Sequence, residues 1–90
     1  NPAVRYEAAI AVGLLGEQSD VPDIIRLLDD EDYEVQTAAV RSLGIIGGNL
    51  AKQALLQCRQ SDDEVIQDAA IEALELLEFD EDPLGFKFPT

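Results

Sequence analysis

The sequence predicts an all-α fold, an α-α superhelix in which amphipathic helical hairpins stack in series, and three observations predict it. A pattern returns every 31 residues, the apolar positions inside each copy fall at helical spacing, and glycines or acidic runs punctuate the copies. No stretch alternates with the period of two that marks a strand.

The register is fixed by sliding the chain against itself. Val4-Arg5-Tyr6-Glu7-Ala8-Ala9-Ile10-Ala11-Val12-Gly13-Leu14-Leu15-Gly16 falls over the segment from Val35 to Gly47, and that segment falls over Ile66 to Glu78, a shift of 31 residues each time. Within the second copy Val35, Ala38, Ala39, Ser42, Leu43 and Ile46 lie on one face of a helix, called B here. Asn1, Asp32 and Asp63 stand three residues ahead of Val4, Val35 and Ile66, where a side-chain oxygen caps free N–H groups. Glu34 and Glu64 place negative charge near the first turn, favourable to the helix dipole.

A second amphipathic stretch, helix A, precedes each later B helix: Val21, Ile24, Ile25 and Leu28 in one copy, Ala51, Ala54, Leu55 and Cys58 in the next. The first of these starts near residue 20, with Pro22 in the first turn and Asp20 or Ser19 as its cap. Gly16 and Gly47-Gly48 close B helices and are expected to take the left-handed conformation that ends a helix. The acidic run Asp29-Asp30-Glu31-Asp32 turns the chain from A to B.

Ninety residues with 47% hydrophobic content make one compact unit. The lone Cys58 has no internal disulfide partner and nothing resembles a metal-ligand cluster, so a reducing, cytoplasmic setting is expected. Cys58 itself falls on the apolar stripe of helix A and reads as a small buried hydrophobe. No apolar run is long enough to span a bilayer and no signal peptide opens the chain, so a soluble protein is expected. The chain begins at Asn1, in the middle of a repeat, which suggests a piece of something longer.

Nineteen Asp and Glu against six Lys and Arg leave a formal net charge of −13. Such a chain repels phosphate backbones and anionic lipid, so neither nucleic acid nor a membrane is an expected partner. Acid–base and nucleophilic catalysis also lack their parts. There is no His, Ser19, Ser42 and Ser61 have no evident base beside them, and no Gly-rich phosphate loop follows a strand. The acidic runs Asp29 to Asp32, Asp62 to Glu64 and Asp80 to Asp82 lack the alternating ligands, central Gly and distal Glu of a calcium loop. The expectation is a non-catalytic chain with no cofactor and no metal.

The residues Val-Arg-x-x-Ala-Ala-x-x-x-Gly-x-x-Gly in the first copy, and Asp-Glu-Asp-Tyr-Glu-Val before helix B in the second, resemble HEAT repeats of the short bacterial type found in phycobilisome lyase-like proteins. The likeness covers about residues 1 to 79. It implies a half repeat at 1–16, a repeat at 17–47, a second at 48–79, and an acidic, Phe- and Pro-rich tail at 80–90. It further implies a right-handed superhelix with B helices lining the concave surface, and a protein-binding scaffold. The alternative it carries is a subunit or fragment of a bilin lyase-like enzyme that holds a tetrapyrrole. The family's Arg ties a helix to an acidic turn of a neighbouring repeat, and Arg5 alone keeps that identity, since Gln36 and Gln67 replace it. Glu75 and Glu78 stand where Gly13/Gly44 and Gly16/Gly47 stood, so residues 48–79 are expected to cap the stack.

With the core taken to lie near Ala8 and Leu15, the front of the B helices carries Tyr6, Ala9, Ile10 and Gly13, then Thr37, Val40, Arg41 and Gly44, then Asp68, Ile71, Glu72 and Glu75. This row runs from apolar through Arg41 to acidic, and suits a protein partner whose basic segment lies over Asp68, Glu72 and Glu75 and whose apolar part lies over Tyr6 and Ile10. In the tail, Leu84, Phe86 and Phe88 are expected either to fold back as a hydrophobic cap or to serve as a short binding motif, with the cap favoured. The first unit lacks its helix A, which leaves Val4, Ala8 and Leu15 bare and predicts a weak homodimer through that face.

Overall fold

The computed structural model describes residues 1–81, and among them there are five α-helices and no strand. They are α1 (Pro2–Leu15), α2 (Val21–Leu27), α3 (Tyr33–Ile46), α4 (Asn49–Cys58) and α5 (Glu64–Glu81), with a 3₁₀ turn at Gln18–Asp20. α1, α3 and α5 are the B helices and lie side by side with α3 in the middle, while α2 and α4 pack behind them as a second layer. α5 continues past residue 79 to Glu81, so the helix enters the segment expected to be tail.

The expected caps form. Asn1 accepts from the Ala3 N–H (2.9 Å), Asp32 from Glu34 and Val35 (2.9 and 3.1 Å), and Asp63 from Val65 (2.9 Å). The entry to α2 differs: Asp20 does not cap it, and its carboxylate turns back to accept from the Glu17 N–H (2.8 Å). The reason is the 3₁₀ turn, which already gives Asp20 helical dihedrals and so removes the extended geometry a capping side chain uses. Gly16 also departs from expectation. It ends α1 in an extended conformation (φ −82°, ψ 176°), because the chain runs straight on into that 3₁₀ turn. Among the described residues only Gly47 and Gly48, at φ 73° and 91°, adopt positive φ, and they reverse the chain between α3 and α4.

The core between the layers is built from Val21 and Ile24 of α2, Ala39 and Leu43 of α3, Leu55 of α4 and Ala70 of α5. Each large aliphatic side chain buried here contributes about 1.5–3 kcal/mol. The positions of Val35, Ala39 and Leu43 on α3 recur as Ile66, Ala70 and Leu74 on α5, and the A helices cover both sets. On α1 most of that face is bare: Val4 and Ala8 are exposed, as is Leu15 (85%), while Val12, the counterpart of Leu43, is half-buried against the core.

Side by side, the B helices meet through small residues. Ser42 is fully buried, lies against Gly13 and donates its hydroxyl to the Ala9 carbonyl (2.5 Å). One junction along, a Cβ on Gly44 would lie 2.8 Å from the Ala73 Cβ and 3.0 Å from its Cα. Those atoms belong to or adjoin the α5 backbone and cannot rotate aside. Ala9, Gly13, Val40 and Gly44 are therefore buried contact positions between B helices and not part of the open front. Replacing Gly44 by Val should cost about 2 kcal/mol or more, because the strain of overpacking outweighs the gain in helix propensity. Urea unfolding of G44V beside the parent measures it, and an unchanged midpoint would show that the α3–α5 contact is looser than described.

Candidate functional site

Three sides of each B helix are occupied or meant for neighbours: the core, the preceding B helix and the following one. The remaining side follows from the helical period of 3.6 residues and carries Tyr6, Ile10 and Leu14 on α1, Thr37, Arg41 and Ile45 on α3, and Asp68, Glu72 and Leu76 on α5. Six of the seven front residues expected from sequence thus share this face. Tyr6, Ile10 and Thr37 are half-buried, whereas Arg41, Asp68 and Glu72 are exposed. Glu75 is the seventh and belongs elsewhere: it occupies the repeat position of Gly13 and Gly44, and so points along the outer flank of α5. Leu84, Phe86 and Phe88 lie outside the described residues.

The row that sequence reading missed is Leu14, Ile45 and Leu76. These are equivalent positions one repeat apart, and they remain 69%, 45% and 42% exposed. Their equivalence was readable from the 31-residue register, but a large aliphatic side chain there reads as core until the neighbouring helices are placed. Between α3 and α5 the row opens into a groove of about 220 Å³, floored by Ala69 and Ala73, walled by Ile45 and Leu76, and edged by Arg41 and Glu72. Phe79, exposed on α5 one turn beyond Leu76, extends the apolar edge. Chemically this is an open apolar strip with one cation and one anion beside it. Among the described residues no three of His, Cys, Asp and Glu come together to hold a metal. Cys58 is half-buried on α4, and burial together with the nearby Asp29 carboxylate pushes its thiol up, which suppresses the thiolate.

Each junction is also tied along the acidic turns that flank this face. Arg5 of α1 grips Asp30 in the following turn through Nε and Nη2 (2.6 and 3.1 Å), and the same carboxylate accepts from the Asp32 N–H (2.8 Å). The Arg5 hydrogen bonds, and then that backbone N–H, hold the Asp30 carboxyl below its ordinary range. Gln36 and Gln67 reach instead to the carbonyls of Asp30 and Ser61 in their own turns. The second junction is tied by a different pair: the Tyr33 hydroxyl donates to Asp63 (2.7 Å), the residue that caps α5. That bond raises the Tyr33 pKa to about 12 and lowers that of Asp63. Gln18, in the 3₁₀ turn, donates to the Ile46 and Gly47 carbonyls (3.1 and 3.0 Å) and so satisfies the end of α3 from the preceding turn.

Two pH responses follow. The Asp30 contribution is present above the unfolded carboxylate value near 4 and is lost as pH falls through its lowered folded value, so Asp30→Asn should flatten the acid side of the stability curve. The Tyr33 contribution is present below the unfolded value of about 10 and is lost as pH rises through about 12. In an ultraviolet phenolate titration Tyr33 should ionise near 12, and Asp63→Asn should bring it back toward 10. A Tyr33→Phe chain identifies the band, and an unshifted band in Asp63→Asn would remove the tie.

Comparison with known proteins agrees with this geometry. A family model described as HEAT repeats matches residues 1–75. A bilin biosynthesis protein of Nostoc sp., PecE, is 40% identical over 76 residues, which is 83% of this chain and 30% of the relative. The chain therefore spans under a third of that protein's length. No solved structure matches the chain closely. A register of 31 residues, hairpins stacked in two layers and a family match over most of the length lead to one conclusion: the chain belongs to the HEAT-repeat family.

Proposed function

We propose that this chain is a non-catalytic scaffold module that holds a protein partner on the front of its B helices. The observation that carries the reading is the row Leu14, Ile45 and Leu76. Three large hydrophobic side chains at equivalent positions stay in solvent, and two of them, Ile45 and Leu76, wall a groove, in a chain whose formal net charge is −13. Burying such a row against a partner supplies the apolar centre of an interface, with Arg41, Asp68 and Glu72 as its polar rim. The module would work in the cytoplasm, where a single unpaired cysteine stays reduced.

A second reading comes from the relative named for bilin biosynthesis. Arg41 beside an apolar floor suits an extended apolar molecule that bears carboxylates, as a linear tetrapyrrole does. The groove is about 220 Å³, below the roughly 300–1,000 Å³ of pockets that enclose such ligands, so one face of a bilin would rest here and the rest would need another surface. The protein-binding reading fits the open row better.

A photoreactive residue at position 45 should form adducts with a partner protein in the cell, one at exposed Gln53 on the back of α4 should not, and Leu76→Asp should abolish the first. Leu76 is exposed enough that this change should cost under about 1 kcal/mol of stability. Equal adducts from both positions would refute the front-face placement. Bilin binding is separated by visible absorbance titration: a red-shifted complex lost in Arg41→Glu would favour the second reading.

A further inference from the structure

The apolar strip between α3 and α5 lies close to the point where the described residues end. Ile45 and Leu76 wall the groove, Ala69 and Ala73 floor it, and Phe79 continues its edge toward the last turn of α5. Along a helix that rises about 1.5 Å per residue, Leu76 is about 7.5 Å and Ala69 about 18 Å from Glu81. The other sides of α5 offer apolar groups less. α3 and α4 cover its core side, and its outer flank carries Glu75 and Glu78 around Ile71. The bare face of α1 lies on the far side of α3.

The segment that follows, residues 82–90, has the composition to meet such a strip. It holds Phe86 and Phe88, two of the three Phe of the chain, and Lys87, the one cation in the sequence after Arg59. Residues 64–81 contain seven carboxylate side chains and no Lys or Arg. Asp82-Pro83-Leu84-Gly85 has Asp, Pro and Gly in first, second and fourth place, which is the pattern of a type I turn. Pro83 also disfavours helical geometry at Asp82, so α5 is stopped there. Five residues beyond such a turn span about 17 Å when extended, close to the distance back to Ala69.

We propose that residues 82–85 reverse the chain and that residues 86–88 lie back along α5 as an extended segment, with Phe86 beside Phe79 and Phe88 in the groove between Ile45 and Leu76. Alternate side chains of an extended segment point to opposite sides, so Lys87 falls on the other edge, beside Glu75 and Glu78. Burial of the two aromatic rings favours the apolar groove over the acidic flank, while the cation favours the flank over the groove. The tether supplies the segment at an effective concentration of about a millimolar, enough for contacts too weak to hold a free peptide. The inference does not rest on the partner reading; a protein partner for the same strip competes with the tail.

NMR of the full 90-residue chain tests it. Phe88 ring protons should show nuclear Overhauser contacts to the Ile45 and Leu76 methyls, and the ring should shift those methyls upfield. The double variant F86S/F88S should abolish both, with helix content kept, which circular dichroism verifies. Lys87→Glu should lower the docking constant, read from the same shifts, about twofold or more at low salt, and the loss should fade as salt rises. Methyl shifts unmoved by F86S/F88S would overturn the proposal, as would contacts from Phe88 to Ile71 or Leu15 in their place. Contacts seen only between differently labelled copies would give the groove to the tail of a second molecule and overturn it as well. A docking constant unmoved by Lys87→Glu would overturn the flank assigned to Lys87.

Discussion

Everything in this molecule hangs on how closely neighbouring B helices approach. Gly13 meets Ser42 at one junction and Gly44 meets Ala73 at the next, so the backbones come together where ordinary side chains would hold them apart. The buried Ser42 hydroxyl is satisfied across the junction by the Ala9 carbonyl, and it does not compete for a carbonyl of its own helix. The close approach brings Arg5 within reach of Asp30 and Tyr33 within reach of Asp63. It also sets the interval between Leu14, Ile45 and Leu76. The spacing of the candidate site is thus a consequence of which positions in the stack lack a side chain.

The two junctions achieve one geometry with different chemistry. At the first, Arg5 forks onto a carboxylate that is itself ordered by the Asp32 N–H. At the second, the Arg position holds Gln36, the Asp30 position holds Ser61, and the tie passes to Tyr33 and the cap of α5. Both ties sit at the turns: the Tyr33–Asp63 bond is exposed and stabilises little by itself, whereas the Arg5–Asp30 pair is part-buried on its carboxylate side. Small-residue contact sets the distance and polar contact at the rim sets the register, which lets the side chains of the open face change from repeat to repeat. That freedom appears directly in the second front row, where Ile10, Arg41 and Glu72 occupy one position with three kinds of chemistry.

On the proposed reading, an open face of this kind serves recognition. Its charged groups face solvent, where they stay well hydrated, and the thiol is held in its protonated form by burial. The relative from Nostoc sp. is named for bilin biosynthesis and is more than three times the length that this chain matches. A helical stack that presents an apolar strip offers a surface on which either a protein segment or a flat pigment could rest.

Periodicity by itself determined the class of fold, the 31-residue register, the identity of A and B helices and the caps at Asn1, Asp32 and Asp63, because these depend on residues close together in the chain. The resemblance to HEAT repeats, not periodicity, marked Arg5 as the residue able to reach a neighbouring acidic turn, and the structure shows it bound to Asp30. What periodicity left open was direction around the helix. Ala9 and Gly13 are as small and as regularly spaced as any front residue, yet they are buried against α3, and Leu14 looks like core yet faces solvent. Gly16 shows the same limit at a turn, since whether it ends α1 extended or left-handed depends on the 3₁₀ turn that follows. A helix has one face toward its own core and two toward its neighbours, and only the packed arrangement of all three decides which side is left for a partner.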